Sequence, residues 1–299
     1  MSAHTDADEN TMLDRAASSF AADGFASIPA LLSSDEVERV LHALESVSLR
    51  PRTDIAAVGR GWTKPDGVTR YAPFWDLITH ERLLQIVRTL LGPDIRFLQH
   101  TDLHVGFSSF NWHRDSVSRS LGVGPDWDER EAPYRIVRVG IYLQSTGGSF
   151  RLGMVPGTHR PADERAKAAR AIVERKTGWM SHARRLVTGK VPEVPGAVWI
   201  PASSGDAVIF DPRVLHTGTP VDGAKYSAFL AFGVPNHHFE NHARYYRYTR
   251  ADLAYEDMPA ALVERLAAAD LFWPVGPDRV AAATLPGALE QLAMRKVRD

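Results

Sequence analysis

His113-Arg114-Asp115 is the tripeptide whose residue types and spacing could do chemistry. In extended backbone, side chains at i and i+2 point to one face, so His113 and Asp115 converge while Arg114 points away. One imidazole and one carboxylate can then fill two adjacent corners of an octahedral metal. A third ligand must come from elsewhere, and the best candidate is His216. It follows the run Gly205-Asp-Ala-Val-Ile-Phe-Asp-Pro-Arg-Val-Leu, an apolar strand that ends in a turn. Two histidines and one carboxylate on one face leave the opposite face open, which suits Fe(II), a bidentate co-substrate and O2. Asp102 and Asp211 are the reserve carboxylates.

Other chemistries fit less well. The letters His-Arg-Asp also occur in protein kinases, but no glycine-rich loop, Val-Ala-Ile-Lys strand or Asp-Phe-Gly accompanies them. A zinc hydrolase on the same three ligands needs a general base beside its water, and the sequence points to none. A non-catalytic jelly roll that binds small molecules is the other alternative, since a fold does not decide function. The run Asn236-His-His-Phe-Glu-Asn-His242 could be a second metal cluster, but lies past the strands and reads better as packing or a helix cap. His159 follows the turn Pro156-Gly157 and reads as structural, or as orienting a neighbour by hydrogen bond.

Composition narrows the field. Cysteine is absent from the 299 residues, which removes disulfides, thiolate metal sites and cysteine nucleophiles together. Any metal must rest on His, Asp or Glu, and twelve histidines are available. A formal net charge of −1 gives no reason to expect nucleic acid or an anionic membrane as partner. No apolar run is long enough to span a bilayer. The start, Met1 to Asn10, has neither the basic nor the apolar region of a secretion signal, so a cytoplasmic location is expected.

The elements that must position these residues begin after a disordered tail expected over residues 1–10. Residues 11–299 read as a single domain. Ser33 and Glu36 have capping-box spacing, and Val37, Val40, Leu41 and Leu44 follow on one helical face. A second helix is expected over Glu81 to Leu91, stopped by Gly92-Pro93. From Arg96 the texture turns to strands, with candidates over 96–107, 136–144, 197–200, 207–210 and 225–233. Turn signals separate them at Thr146-Gly-Gly148, Pro156-Gly157 and Ser204-Gly-Asp206. Short strands with glycine turns predict a mainly β fold, a sandwich or barrel with helical additions. Residues 119–135 read as a long loop, residues 161–190 as a basic helical insert, and the chain from Ala251 as helix again.

With these residues in hand, the chain resembles the phytanoyl-CoA dioxygenase family of Fe(II)/2-oxoglutarate oxygenases. Four blocks match in order: Phe20…Asp23-Gly-Phe…Ile28-Pro…Leu31-Leu; Asn111-Trp-His113-Arg-Asp115; Gly147-Gly…Leu152-Gly-Met-Val-Pro156-Gly-Thr-His159-Arg160; and Gly205-Asp…Phe210…His216-Thr-Gly218. They span roughly residues 20 to 235. The resemblance implies a double-stranded β-helix, or jelly roll, with its core at about 96–235 and iron at one open end. It also implies 2-oxoglutarate as co-substrate, O2, stimulation by ascorbate, and a small-molecule substrate that loses a hydrogen from carbon as succinate and CO2 form. A carboxylate at position 115 argues for hydroxylation, desaturation or ring chemistry, because related halogenases omit it to admit chloride.

One departure stands out. The family usually places an arginine about eleven residues past the distal histidine to hold the far carboxylate of 2-oxoglutarate; this chain has Ser227 there. Lys225, just after Pro220-Val-Asp-Gly223, is the expected replacement, a point charge rather than a bidentate fork. Arg138 is the second choice, on the strand face of Tyr142 and Gln144, and Gln99 is a further expected contact.

Overall fold

The computed structural model describes residues 2–47, 62–106, 112–144, 150–164, 167–169, 171, 193–219, 225–249 and 255–276. Two antiparallel sheets face each other as a jelly roll. The larger runs in the order β1 (Phe25–Ile28), β7 (Ala207–Phe210), β4 (Ile136–Tyr142), β9 (Tyr226–Gly233), β3 (Arg96–Val105) and β2 (Trp62–Pro65). The smaller has β6 (Val198–Pro201), β5 (Arg151–Met154) and β8 (His216–Gly218). A main-chain bridge from His113 to His216 adds one rung to its edge.

Alternation gives the large sheet two faces. On one, Val137, Val139 and Ile141 of β4 and Leu230 and Phe232 of β9 are fully buried against helices. Those helices are α1 (Ser2–Asp23), α2 (Ser34–Ser46), α5 (Glu81–Leu91) and, near the C-terminus, α7 (Ala260–Ala268). Short helices α3 (Gly67–Arg70) and α4 (Trp75–Ile78) connect them to β2. On the other face, Tyr142, Val208, Phe210 and Phe229 meet Phe150, Leu152 and Met154, closing the space between the sheets.

The capping box forms as its spacing predicts. Ser33 Oγ accepts from the Glu36 amide at 3.4 Å, and Glu36 Oε2 accepts from the Ser33 amide at 2.8 Å. Ser33→Ala is expected to lower stability by about 1 kcal/mol in chemical unfolding, with no change in metal content, because the cap lies on the helical side of the sheet.

The N-terminus corrects an expectation. Residues 1–10 were expected as a disordered tail, yet α1 already runs from Ser2. Leu13 and Ala16 are buried on the core and Met12 and Phe20 pack beside them, and Glu9 lies 3.8 Å from Arg82. Once packing fixes that last part, extending the helix backwards costs far less than nucleating it. Strand β2 also has no counterpart in the sequence expectations. The turn signals at 146–148 and 220–223, and most of the basic insert over 161–190, lie outside the described residues.

Candidate metal and co-substrate site

The site sits where the small sheet's edge meets the inner face of the large one. His113 and His216 exchange two main-chain hydrogen bonds, N–H to O at 2.9 and 3.0 Å. The Asp115 amide donates to the Pro212 carbonyl at 2.9 Å, in the turn before β8. Three residues from two distant segments of the chain are therefore fixed by backbone, independently of their side chains. Arg114 points away as alternation requires, its Nε donating to the Arg213 carbonyl at 2.9 Å.

The side chains converge. His113 Nε2 is 3.7 Å from Asp115 Oδ1, and His216 Nε2 is 3.7 Å from Asp115 Oδ2. One ligating atom from each residue falls within 4.8 Å of the others. Donors bonded to one ion at about 2.1 Å and at right angles would sit about 3 Å apart, so this spacing needs only a small closure. Among the described residues no other His, Cys, Asp and Glu group meets that geometry.

Local electrostatics prepare the three for a cation. His216 Nδ1 lies 3.0 Å from the Val214 carbonyl, which can only accept, so Nδ1 carries the proton and Nε2 presents its lone pair. Burial, helped by the proximity of His113, pushes the His216 pKa down to about 4, so the ring is neutral at physiological pH. Burial would raise the Asp115 pKa, but His216, Arg138 and His113 outweigh it and hold this carboxyl well below the usual range. Arg138 Nε lies 3.4 Å from Asp115 Oδ2, and its Nη2 bonds Asp102 at 2.9 Å.

Register explains what lines the cavity. Across the large sheet, His104, Ser227 and Tyr142 form one row; Asp102, Phe229, Gly140 and Val208 form the next. A Cβ on Gly140 would lie 2.7 Å from the Phe229 ring, so only glycine lets that ring lie across the strand. The cavity is about 170 Å³, with His100, Asp102, His104, Arg138, Lys225 and Phe229 among its walls beside the three candidate ligands.

Lys225 is buried there, its Nζ 4.3 Å from the centre of the Phe150 ring. Burial pushes its pKa down to about 7. Close by in the register, Tyr142 Oη, Gln144 Oε1 and Ser227 Oγ are buried with no hydrogen-bond partner. A buried cation beside unsatisfied hydroxyls is a setting that an incoming carboxylate completes.

Gln99 corrects an expectation. Its amide donates to Asp66 Oδ2 at 2.9 Å and to the Glu256 carbonyl at 2.8 Å, so it is no part of the cavity wall. Parity is the cause: Gln99 shares a face of β3 with Thr101 and Leu103, whereas His100, Asp102 and His104 face the site. That same alternation was the signal for His100 and His104, which the sequence reading left out, and for Asp102, which it held only as a reserve carboxylate. Asp211, a reserve carboxylate, is engaged by Arg213 at 2.8 Å. His159 packs against Gly24, where its ring and Val214 leave no room for a Cβ. In the histidine-rich run, Asn236 caps α6 (His237–Arg244) by accepting from the His238 and Phe239 amides.

Comparison with known proteins agrees with this geometry. Residues 20–227 match the family model described as phytanoyl-CoA dioxygenase (PhyH). No curated protein sequence matches the chain. Among solved structures, the non-heme alpha ketoglutarate dependent epimerase SnoN from nogalamycin biosynthesis is 18% identical with a TM-score of 0.52, over 75% of this chain and 81% of its own. The carbocyclase SnoK from the same biosynthesis is 17% identical with a TM-score of 0.52, over 75% of this chain and 85% of its own. Those likenesses establish the jelly-roll fold, and none of the described helices is long and apolar enough to cross a membrane. The matched span contains all three candidate ligands, and with it this chain belongs to the phytanoyl-CoA dioxygenase family, as a 2-oxoglutarate-dependent non-haem iron dioxygenase.

Proposed function

We propose that this enzyme hydroxylates, or otherwise oxidises, a C–H bond of a small molecule in secondary metabolism. In this reading His113, Asp115 and His216 hold the iron and Lys225 receives the far carboxylate of 2-oxoglutarate. The observation that carries it is the sharing of one cavity by the three convergent donors and the buried lysine. When bound, iron and 2-oxoglutarate together supply the O2 activation, with succinate and CO2 as by-products. The chain supplies placement, charge and exclusion of water.

Each residue then has a stated task. Asp115 and the two imidazoles fix the metal on one side and leave the other open. Arg138 keeps Asp115 ionised and is itself held by Asp102. Tyr142 and Ser227 offer hydroxyl donors beside Lys225. The cavity is smaller than the roughly 300–1,000 Å³ that encloses a drug-sized ligand, so it suits the co-substrate. The substrate therefore approaches from the side where His113 and Asp115 are 27% and 19% exposed, while His216, at 6%, lies behind. SnoN has been solved with Fe3+, alpha ketoglutarate and nogalamycin RO, and a substrate of natural-product size reaching in from this mouth fits the same scheme. A carboxylate at 115 leaves no ligand position for halide, which favours hydroxylation over halogenation.

The test is Lys225→Ala. Losing a buried charged hydrogen bond costs about 1.5–3 kcal/mol, so 2-oxoglutarate affinity should fall roughly ten- to hundredfold, with substrate affinity changed far less. Without the co-substrate's carboxylate beside it, the wild-type lysine would be cationic below about pH 7 and neutral above. Co-substrate affinity should accordingly weaken as pH rises past 7, and Lys225→Ala should lose that dependence. An unchanged 2-oxoglutarate dissociation constant would move the anchor to Arg138. Succinate release under iron, ascorbate and air, screened across compound classes, would identify the substrate.

A further inference from the structure

The residues past 227 lie outside the matched family span, yet one of them reaches the candidate metal site. Helix α6 continues into a π-helical turn, Tyr245–Thr249. Such wide turns are rare and tend to occur where a side chain must be re-aimed. Here Tyr246 is 3% exposed, and its hydroxyl donates to the main-chain carbonyl of Asp115 at 2.9 Å. Its ring stacks on His100 with centroids 3.4 Å apart, and His242 lies at 4.8 Å on the same aromatic cluster. His100 Nδ1 and His242 Nε2 are hydrogen-bonded at 2.9 Å, and the His100 carbonyl accepts from Arg138.

Both backbone groups of Asp115 are thus held, and from opposite sides. Its N–H is fixed by Pro212 in the turn that leads to His216, and its C=O by Tyr246 from the C-terminal region. The carboxylate is held separately by Arg138, which shares His100 with the Tyr246 stack. We infer that Tyr246 is a positioning residue: it fixes the Asp115 main chain, and through it the direction of the carboxylate on the metal, so that co-substrate consumption stays coupled to substrate oxidation. This rests on Asp115 being a ligand.

The discriminating variant is Tyr246→Phe, which deletes one oxygen and keeps the ring stack. Tyr255→Phe is the control. Tyr255 also donates to a main-chain carbonyl, but that of Thr101, at 3.1 Å, rather than that of a candidate ligand, and its ring lies 6.2 Å from Tyr246. Four quantities are compared: iron dissociation constant, the visible charge-transfer band of the anaerobic Fe(II)–2-oxoglutarate chelate, succinate formed per oxidised product, and thermal midpoint. Tyr246→Phe should weaken iron binding about fivefold, the effect of one ordinary hydrogen bond. It should also shift the band and raise succinate per product, whereas Tyr255→Phe should change the midpoint alone. Equal behaviour of the two variants, with wild-type iron affinity and coupling in both, would overturn the inference. His216→Ala in the same assay separates the premises: if it binds iron normally, the ligand assignment itself has failed.

Discussion

His216→Ala is expected to abolish stoichiometric iron binding and turnover while leaving the fold largely intact. The loss should be severe because His216 contributes the most buried of the three donors. Its Nε2 lone pair is freed for metal by the Nδ1–H bond to Val214. Removing merely an outer partner of a metal ligand costs roughly ten- to hundredfold in affinity, and removing the ligand should cost more. The fold should survive because the contacts joining His216 to His113 are main chain to main chain and persist in alanine. What goes is packing against the Phe210 ring, whose centroid lies 4.8 Å away. That loss falls within the 0.5–3 kcal/mol of ordinary core substitutions, at about the middle of that range. Metal content by elemental analysis, beside far-ultraviolet circular dichroism, checks both halves. Unchanged iron stoichiometry in both His113→Ala and His216→Ala would rule out this ligand set.

The sequence made one kind of information easy to read and another hard. Where a local period sets a local geometry, placement is legible. Alternation put His113 and Asp115 on one side, and the turn after the apolar run 207–210 delivered His216. Capping spacing gave the start of α2, and Gly92 the end of α5. Lys225 was legible as a charge beside the place where the family's arginine is missing, and its burial fits that role.

The failures share a different physics. Gln99 was expected as a co-substrate contact, yet its partners are Asp66 and the Glu256 carbonyl, which only the folded chain brings to that face of β3. Strand β2 pairs with β3 through Trp62–Pro65, only four residues long and ending in Lys-Pro, which are depleted in strands. The Tyr246–His100–His242 stack depends on a π-turn joined to a strand some 140 residues away, and no local period announces either. Helix α1 owes its first turns to a packed C-terminal half rather than to its own amphipathicity, so its polar opening read as a tail. Long-range tertiary support is the common element.

Asp115→Gly carries the second large effect, and it tests mechanism rather than mere metal binding. As a ligand the carboxylate would offset part of the Fe(II) charge and take the position where a halide could sit. Glycine would open that position and leave both imidazoles, so iron should still bind, at lower affinity. It would also strand Arg138, which now balances Asp115 at 3.4 Å and Asp102 at 2.9 Å, with only the latter. Substrate hydroxylation should fall by about a hundredfold or more, since small misplacements of reacting groups cost that much. Asp115→Asn keeps the shape and loses the charge. It should therefore retain more of the pocket's order than glycine does while also binding iron weakly. Iron content, succinate release and oxidised product, measured for the wild type and both variants with and without chloride, separate these effects. Chlorinated product from Asp115→Gly alone would show that the carboxylate is what excludes halide in the parent. Wild-type hydroxylation by Asp115→Gly would remove Asp115 from the ligand set. The carboxylate ligand would then be sought at Asp102, which lines the same cavity, and not at Asp211, which Arg213 already occupies through both carboxylate oxygens.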